Sequence, residues 1–487
     1  ATRNPVPRRC SDQQRPQRRI KTMAKQQGKF LTGSTFGHVS YMTLTGALGI
    51  TFMFCVDALN LFWISQLGER TLVAAMGYAF AIQYFTLSAG LGLMIATTAL
   101  VARSIGQKAY GKAREQASAA LIITCLWQVG VVTLVLVFRH DLLAAVGASG
   151  EAADLADRYL QFTLPSLVLM AVGMIGGGIL RAKGEGAHAM SITLIPGVVA
   201  LVIDPLFIIW MQLGLDGAAL ALCLMRGLMA TVALWLVIGH HKSLARPTLR
   251  SIHDMLKPFF AIALPAMLTQ MATPFGNYLL TGLIAGFGDS AVAAWAVVGR
   301  LTVVAFGGIF SLSGAIAGIF SQNYGAGLYH RVRATYRDAL IFCALYSCVM
   351  WGILMLASQK ISLWFSLDPA GNDVLYAFTH FGAGGFILIG ALMVSNAAFN
   401  ALGKPLRSTQ TNWLRDGVLT LPIGMWLTGM FGATGVIYAQ TLVGAAVGLM
   451  AALWGWIYVS KLGVVPSSDL ELSKQPAYGD DVTHRRQ

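Results

Sequence analysis

Stretches of about twenty predominantly apolar residues recur from residue 40 almost to residue 460, separated by short polar links. One such stretch can be a buried core helix, but a dozen cannot share one core. The chain has 487 residues, of which 11% are charged and 56% hydrophobic. A soluble domain usually carries about 25% charged residues to cover its surface. Too few are present here, and a bilayer supplies apolar solvent in their place. The apolar segments lie at roughly 40–64, 74–100, 118–138, 159–180, 188–211, 216–239, 260–285, 291–320, 339–358, 374–399, 406–428 and 433–459. The expected fold is all-α and integral to the membrane, with twelve transmembrane helices.

The net charge of +14 is distributed unevenly. The two tails and the even-numbered links carry 28 of the 35 Lys and Arg residues, including Arg103, Lys108, Lys112 and Arg114, and later Arg331, Arg333 and Arg337. The odd-numbered links carry only Arg70, Arg139, Arg158 and Lys360. Basic residues accumulate on the cytoplasmic side. Both termini and the central link are therefore expected in the cytoplasm, with the chain spanning the inner membrane many times. Topology and anionic lipid account for the charge, so membrane lipid rather than nucleic acid is the expected partner. Residues 1–38 are basic and lack the apolar core and cleavage site of a signal peptide. The stretch from Arg3 to Arg19 reads as disordered, and residues 1–22 as an extension ahead of a start at Met23. Cys10 lies in this tail and the other five cysteines in apolar runs. Their spacing gives neither a disulfide framework nor a metal site.

The chain also repeats itself. Gly68-Glu69 ahead of Val73-Ala74-Ala75 recurs as Gly288-Asp289 ahead of Val292-Ala293-Ala294. Gly106 before a basic link recurs as Gly325 before another, and Gly214 to Gly217 recurs as Gly432 to Gly435. Six helices per half is an even number, so both halves enter from the same side as a parallel repeat. Carriers are commonly built this way, with the substrate site between the halves. The expected organisation is a tail (1–38), an N-terminal six-helix lobe (39–239), a cytoplasmic linker (240–257), a C-terminal six-helix lobe (258–459) and a tail (460–487).

Ionisable groups at membrane depth are expensive and usually functional. Six stand at membrane depth, away from the segment ends: Asp57, Asp204, Arg226, Arg300, Arg415 and Asp416. Asp57 is deep in the first helix, with Asn60 three residues on and on the same face. Desolvation makes its charged form costly, the condition for exchanging a proton near neutral pH. Asp204 precedes Pro205, which frees a backbone carbonyl nearby. Both acids are candidate ion-coupling groups. Arg415 and Asp416 are adjacent on a helix, about 100 degrees apart, so each is expected to pair elsewhere. Arg226 is expected off-centre, reaching toward the interface. Asn60, Gln83, Gln161, Arg300, Asn396 and Asp416 are candidates for the cavity wall; a buried amide equally well joins two helices. No nucleotide-binding or metalloprotease motif is present. Gly147-Ala148-Ser149-Gly150 spells a protease-like GxSG, but in a link on the far side of the membrane. An enzyme is not expected, and the energy has to come from an ion gradient.

Asp57 with Gly68 and Ala74-Ala75, Gly106 with its basic link, Arg181 to Gly186, Asp204-Pro205 and Gly214 to Ala219 together resemble the multidrug and toxic compound extrusion (MATE) family. The resemblance covers about residues 30–460. It implies two six-helix lobes around a V-shaped cavity. It also implies export of small cationic or amphipathic organic compounds in exchange for protons or sodium ions, by a monomer with no bound cofactor. Asp57 and Asp204 match the family's N-lobe cation or proton site. The DinF-like branch often has Asn four residues before the second acid, where Ala200 stands, and Thr in the sixth helix, where Leu222 stands. Two sodium ligands are thereby missing, which favours a proton, since a hard cation needs several oxygens. The sodium-dependent branch has acids in the seventh and tenth helices. None lies in 260–285 or 374–399, and Asp416 is the remaining substitute. A sodium-coupled exporter stays open beside this reading. So does a flippase for a lipid-linked precursor, which would want a more cationic cavity.

Overall fold

The computed structural model describes residues 28–365 and 367–463. The basic stretch to residue 27, with Cys10 and the expected start at Met23, and the chain beyond 463 lie outside the described residues. The described chain is helical: α1 (Thr35–Ser65), α2 (Arg70–Gly106), α3 (Tyr110–Val137), the short α4 (Arg139–Ala145), α5 (Gly150–Ala182), α6 (Gly186–Pro205), α7 (Gly214–Leu234), α8 (Leu249–Ala285), α9 (Asp289–Gly325), α10 (Tyr329–Trp364), α11 (Pro369–Ala377), α12 (Phe386–Ala401), α13 (Pro405–Trp413), α14 (Thr420–Phe431) and α15 (Thr434–Ser460). Large apolar side chains such as Leu48, Leu126, Trp235, Leu356 and Trp426 stand exposed on the outer faces, where lipid rather than water suits them. Among the described residues, eleven helical stretches are long and apolar enough to cross a bilayer. The run 405–431 has the length but carries Arg415 and Asp416 at its centre.

Three elements depart from the expected segments, each for a local reason. The helix expected from residue 260 already starts at Leu249, inside the stretch read as linker, because Thr248 and Ser251 form a reciprocal capping box. The segment expected at 374–399 is not one helix. Residues Phe378–Gly382 widen into a π-helix and Ala383–Gly385 tighten into a 3₁₀ turn before α12. Glycines there let Trp351 and Thr441 press against the backbone: a β-carbon on Gly384 would lie 3.1 Å from Trp351, and one on Gly385 2.7 Å from Thr441. The segment expected at 406–428 is likewise interrupted by a π-helix, Leu414–Leu419.

The basic links gather at one end of the molecule, where Arg and Lys side chains donate to backbone carbonyls. Arg103 donates to Ala401 (2.9 Å), Arg114 to Leu244 (2.8 Å), Arg331 to Phe30 (3.0 Å) and Arg333 to Ser460 (3.1 Å). Lys29 pairs with Glu185 at 3.2 Å, and Lys183 donates to the His241 carbonyl at 2.9 Å. Burial, together with the Lys183 ammonium, pushes the His241 imidazole down to about 4.

This end is closed by a crossing of α2 and α9. A β-carbon on Gly106 would lie 2.1 Å from the Gln322 carbonyl oxygen, and one on Gly325 would lie 2.2 Å from that of Arg103. The contact is reciprocal: the two glycines, and the two carbonyl residues, are each 219 positions apart. The Gln322 side chain ties in a third and a fourth element, donating to Ala182 (2.6 Å) and accepting from the Phe30 amide (3.2 Å).

Alanine at either glycine has to displace a carbonyl. Gly106→Ala and Gly325→Ala should each destabilise this closed arrangement by about 1–3 kcal/mol. Thermal melting of the purified protein in detergent reads this as a lowered midpoint. Gly111→Ala is the control, since a methyl there meets nothing. Unchanged melting of both crossing variants would mean that the helices do not touch as described.

Candidate functional site

A cavity of about 820 Å³ lies toward the end opposite the basic links. Its walls come from the second half of α1, the first half of α2, and from α5, α6 and α7, with α9 closing it from the C-terminal half. The lining is mostly apolar and includes Met53, Met76, Met170, Met225 and Met229, flexible side chains that adapt to varied shapes. Against this background stand a few polar groups, the usual composition of a small-molecule site.

Asp57 and Asp204 both line the cavity. Asp57 projects into the open space, whereas Asp204 is buried in the wall. Asn60, one turn beyond Asp57, lies beside the Asp204 carboxylate, so one face of α1 serves both acids. Asp204 sits where α6 ends: Pro205 cannot donate a helix hydrogen bond, and the chain continues as a π-helix, Leu206–Trp210.

Arg226 is the group the sequence reading misplaced. It does not reach toward the interface; it is buried in the cavity wall. Its guanidinium donates to the Thr163 carbonyl (2.9 Å), Ser166 Oγ (2.9 Å) and Gln83 Oε1 (2.8 Å), and Gln83 in turn donates to Thr163 Oγ1 (3.0 Å). Arg226 and Asp204 are the charges acting on Asp57. The signal was available: residue 226 is twelve positions into an apolar helix, too far from its start for a side chain to snorkel out. Gln83 reaches the cavity as expected, but as a partner of Arg226.

Arg300 also lines the cavity, on α9. It is exposed to that space and has no hydrogen-bond or ion-pair partner among the described residues. Ala200 and Leu222, the two positions lacking side-chain oxygen, are in the same wall as the acids.

Three expected wall residues lie elsewhere. Gln161 is exposed and donates to Asp157 at 2.7 Å, one turn back on α5. Asn396 is buried between α12 and α13, accepting from Asn412 at 3.0 Å, and so joins two helices. Asp416 is buried in an ion pair with its own neighbour: Arg415 donates to its two oxygens at 2.8 and 2.6 Å, and Thr273 bridges both residues. Arg415 and Asp416 were expected to point apart; instead the long Arg415 side chain folds onto the neighbouring carboxylate, as Arg337 does with Asp338 on the regular helix α10.

The sequence profile of the MatE family matches residues 21–206 and 265–426. A FAD transporter of Shewanella oneidensis is 24% identical over 414 residues, covering 84% of this chain and 91% of its own length. Multidrug export protein MepA of Staphylococcus aureus is 22% identical over 453 residues, covering 91% of this chain and 98% of its own length. A solved structure of a multidrug resistance MATE family transporter in an outward-facing conformation superposes with a TM-score of 0.84 at 22% identity, over 89% of this chain and 98% of that one. The helices, the membrane-depth cavity and the profile match agree: this chain belongs to the MatE family and is a membrane transporter, not an enzyme.

Proposed function

We propose that the chain exports small amphipathic organic compounds in exchange for protons, by alternating access of one cavity to the two sides of the membrane. The observation that carries this is the grouping of Asp57, Asn60 and Asp204 on the wall of an otherwise apolar, methionine-rich cavity. A carboxylate open to the cavity and a second one buried behind it can share a proton through the same face of α1. Protonation removes the charge that attracts Asp57 to Arg226 and to water. The helix is then free to pack differently, and cargo affinity changes with it.

The remaining parts of the reading fit this cycle. Twelve spans, counting 405–431 as one, form two six-helix lobes related by a parallel repeat, and the reciprocal α2–α9 crossing is what such a repeat produces. The basic end faces the cytoplasm with both termini, so the cavity described above opens outward. The protein acts as a monomer in the inner membrane. Proton coupling rather than sodium coupling is favoured by Ala200 and Leu222, which leave the acids short of neutral oxygen ligands. A flippase for a lipid pyrophosphate is disfavoured, because Arg226 is already held by Gln83, Thr163 and Ser166, which leaves Arg300 as a single guanidinium without a partner among the described wall residues.

A second cargo class is favoured by Arg300. An unpartnered guanidinium facing the cavity suits a phosphate or carboxylate, and one relative is named a FAD transporter. The cargo would then be an anionic flavin-type nucleotide instead of an organic cation.

Proteoliposomes with an internal pH dye test the coupling. A pH gradient alone should drive cargo uptake, and Asp57→Asn and Asp204→Asn should each reduce uptake and proton counterflow by about tenfold or more. Uptake by Asp57→Asn at the wild-type rate would end the proposal for that residue, and uptake driven by sodium alone would end proton coupling. Offering FAD and a fluorescent organic cation in parallel decides the cargo class. Arg300→Gln should weaken only the anionic one.

The Arg415–Asp416 pair predicts a contrasting result. Asp416→Asn leaves a buried guanidinium partly unpaired and should lower stability by about 3–5 kcal/mol. The number of protons exchanged per cargo should not change. A changed stoichiometry would place Asp416 in the coupling machinery.

A further inference from the structure

We propose that His188, His240 and His241 form a binding site for one divalent transition-metal ion of the zinc class at the basic end of the N-terminal half. The three residues come from two elements: His188 from the first turn of α6, His240 and His241 from the end of the π-helix Trp235–His240 and the residue after it. Among the described residues they are a group in which one ligand atom from each side chain lies within 4.8 Å of the others. His241 Nε2 is 3.2 Å from His188 Nδ1. A tetrahedral zinc ion with Zn–N bonds of about 2.0–2.1 Å sets its ligand nitrogens about 3.4 Å apart. One pair is therefore already at ligand spacing, and the third imidazole has a ligand nitrogen within 4.8 Å of both.

The surroundings hold this geometry in place. Lys183 donates to the His241 carbonyl (2.9 Å) and to Ser243 Oγ (2.8 Å), which fixes the backbone just after α7. Ser118 does the same two residues on, accepting from the Ala245 amide at 3.0 Å. Glu185 lies 3.4 Å from the same His188 Nδ1, where its carboxylate is placed to supply a fourth donor. Three imidazoles with a carboxylate suit zinc, nickel or copper, and not magnesium or calcium. The cluster lies at the end opposite the cavity and shares no residue with its wall, so the proposal stands or falls apart from the transport reading. Sequence spacing hid it, since His188 is 52 positions from His240. An ion there would tie the start of α6 to the start of the link between the two halves.

The test uses the full chain, purified in detergent by a tag without histidine and stripped of metal. Cobalt(II) is titrated and followed by its visible ligand-field absorption, and zinc is then added to displace it. The expected result is one equivalent of cobalt with tetrahedral-type bands, displaced by one equivalent of zinc. Affinity should fall about tenfold or more in His188→Gln and in His241→Gln, and remain unchanged in His253→Gln. Zinc should raise the melting temperature of the wild type but not of the His188→Gln/His241→Gln double variant. Metal-free melting of that double variant at the wild-type temperature separates loss of the site from misfolding. Failure of the wild type to bind one equivalent, or equal binding by the folded double variant, would overturn the site.

Discussion

The closed end of this transporter depends on a backbone contact that only glycine permits. Gly106 and Gly325 bring α2 and α9 close enough for each helix to rest on a carbonyl of the other. Inside a bilayer, helices gain little from hiding apolar surface, and close van der Waals packing of small residues takes over that role. Everything else at this end is arranged around the crossing. Gln322, one turn before Gly325, holds the chain near Phe30 and the end of α5, and Arg103, one turn before Gly106, reaches Ala401. Because the contact is built from two equivalent positions of the two halves, it is self-complementary, as a symmetric dimer interface is.

At the other end the same helices part, and the cavity occupies the space. Its charges are not scattered. The two acids belong to α1 and α6, and the two arginines to α7 and α9, one already held by Gln83 and Thr163 and the other free. Burial of unpaired charge in a membrane is costly, so an acid and a guanidinium without ion-pair partners among the described residues belong where water or cargo reaches them. That condition is met by Asp57 and Arg300, the two charged wall residues exposed to the cavity. Asp204 and Arg226 are buried instead, and Arg226 is hydrogen-bonded. The wall thus has an outer pair of exposed charges and an inner pair of buried ones.

Two acids at membrane depth meet their surroundings differently. Asp416 looked like a stray acid, but its own neighbour Arg415 folds onto it, and the charge is cancelled within two residues. Arg337 and Asp338 do the same on the regular helix α10, so adjacent side chains pair without a change of helix type. Asp204, just ahead of the π-helix Leu206–Trp210, has beside it Asn60 from a different helix, an amide rather than a cation. One half thus holds a structural ion pair, and the other an acid without an ion-pair partner among the described residues.

Composition and periodicity were enough to give a helical membrane protein, the gathering of its basic links at one end, and Asp57 and Asp204 as candidate acids, both of which line the cavity, because a charge in lipid is visible without any structure. The repeated Gly106 and Gly325 were legible as a motif, but not as the two sides of one contact. Gln161 and Asn396 were indistinguishable in sequence from Gln83, since an amide in an apolar run has the same cost whether it faces cargo or another helix. Arg226 was underrated because its partners, Gln83 and Thr163, come from helices more than 60 residues away. The same holds for the three histidines. Sequence determines which residues are too costly to leave alone in the membrane. Only the tertiary structure decides which partner relieves that cost, distant helices for Arg226 and its own neighbour for Asp416, and which groups are left facing the cavity.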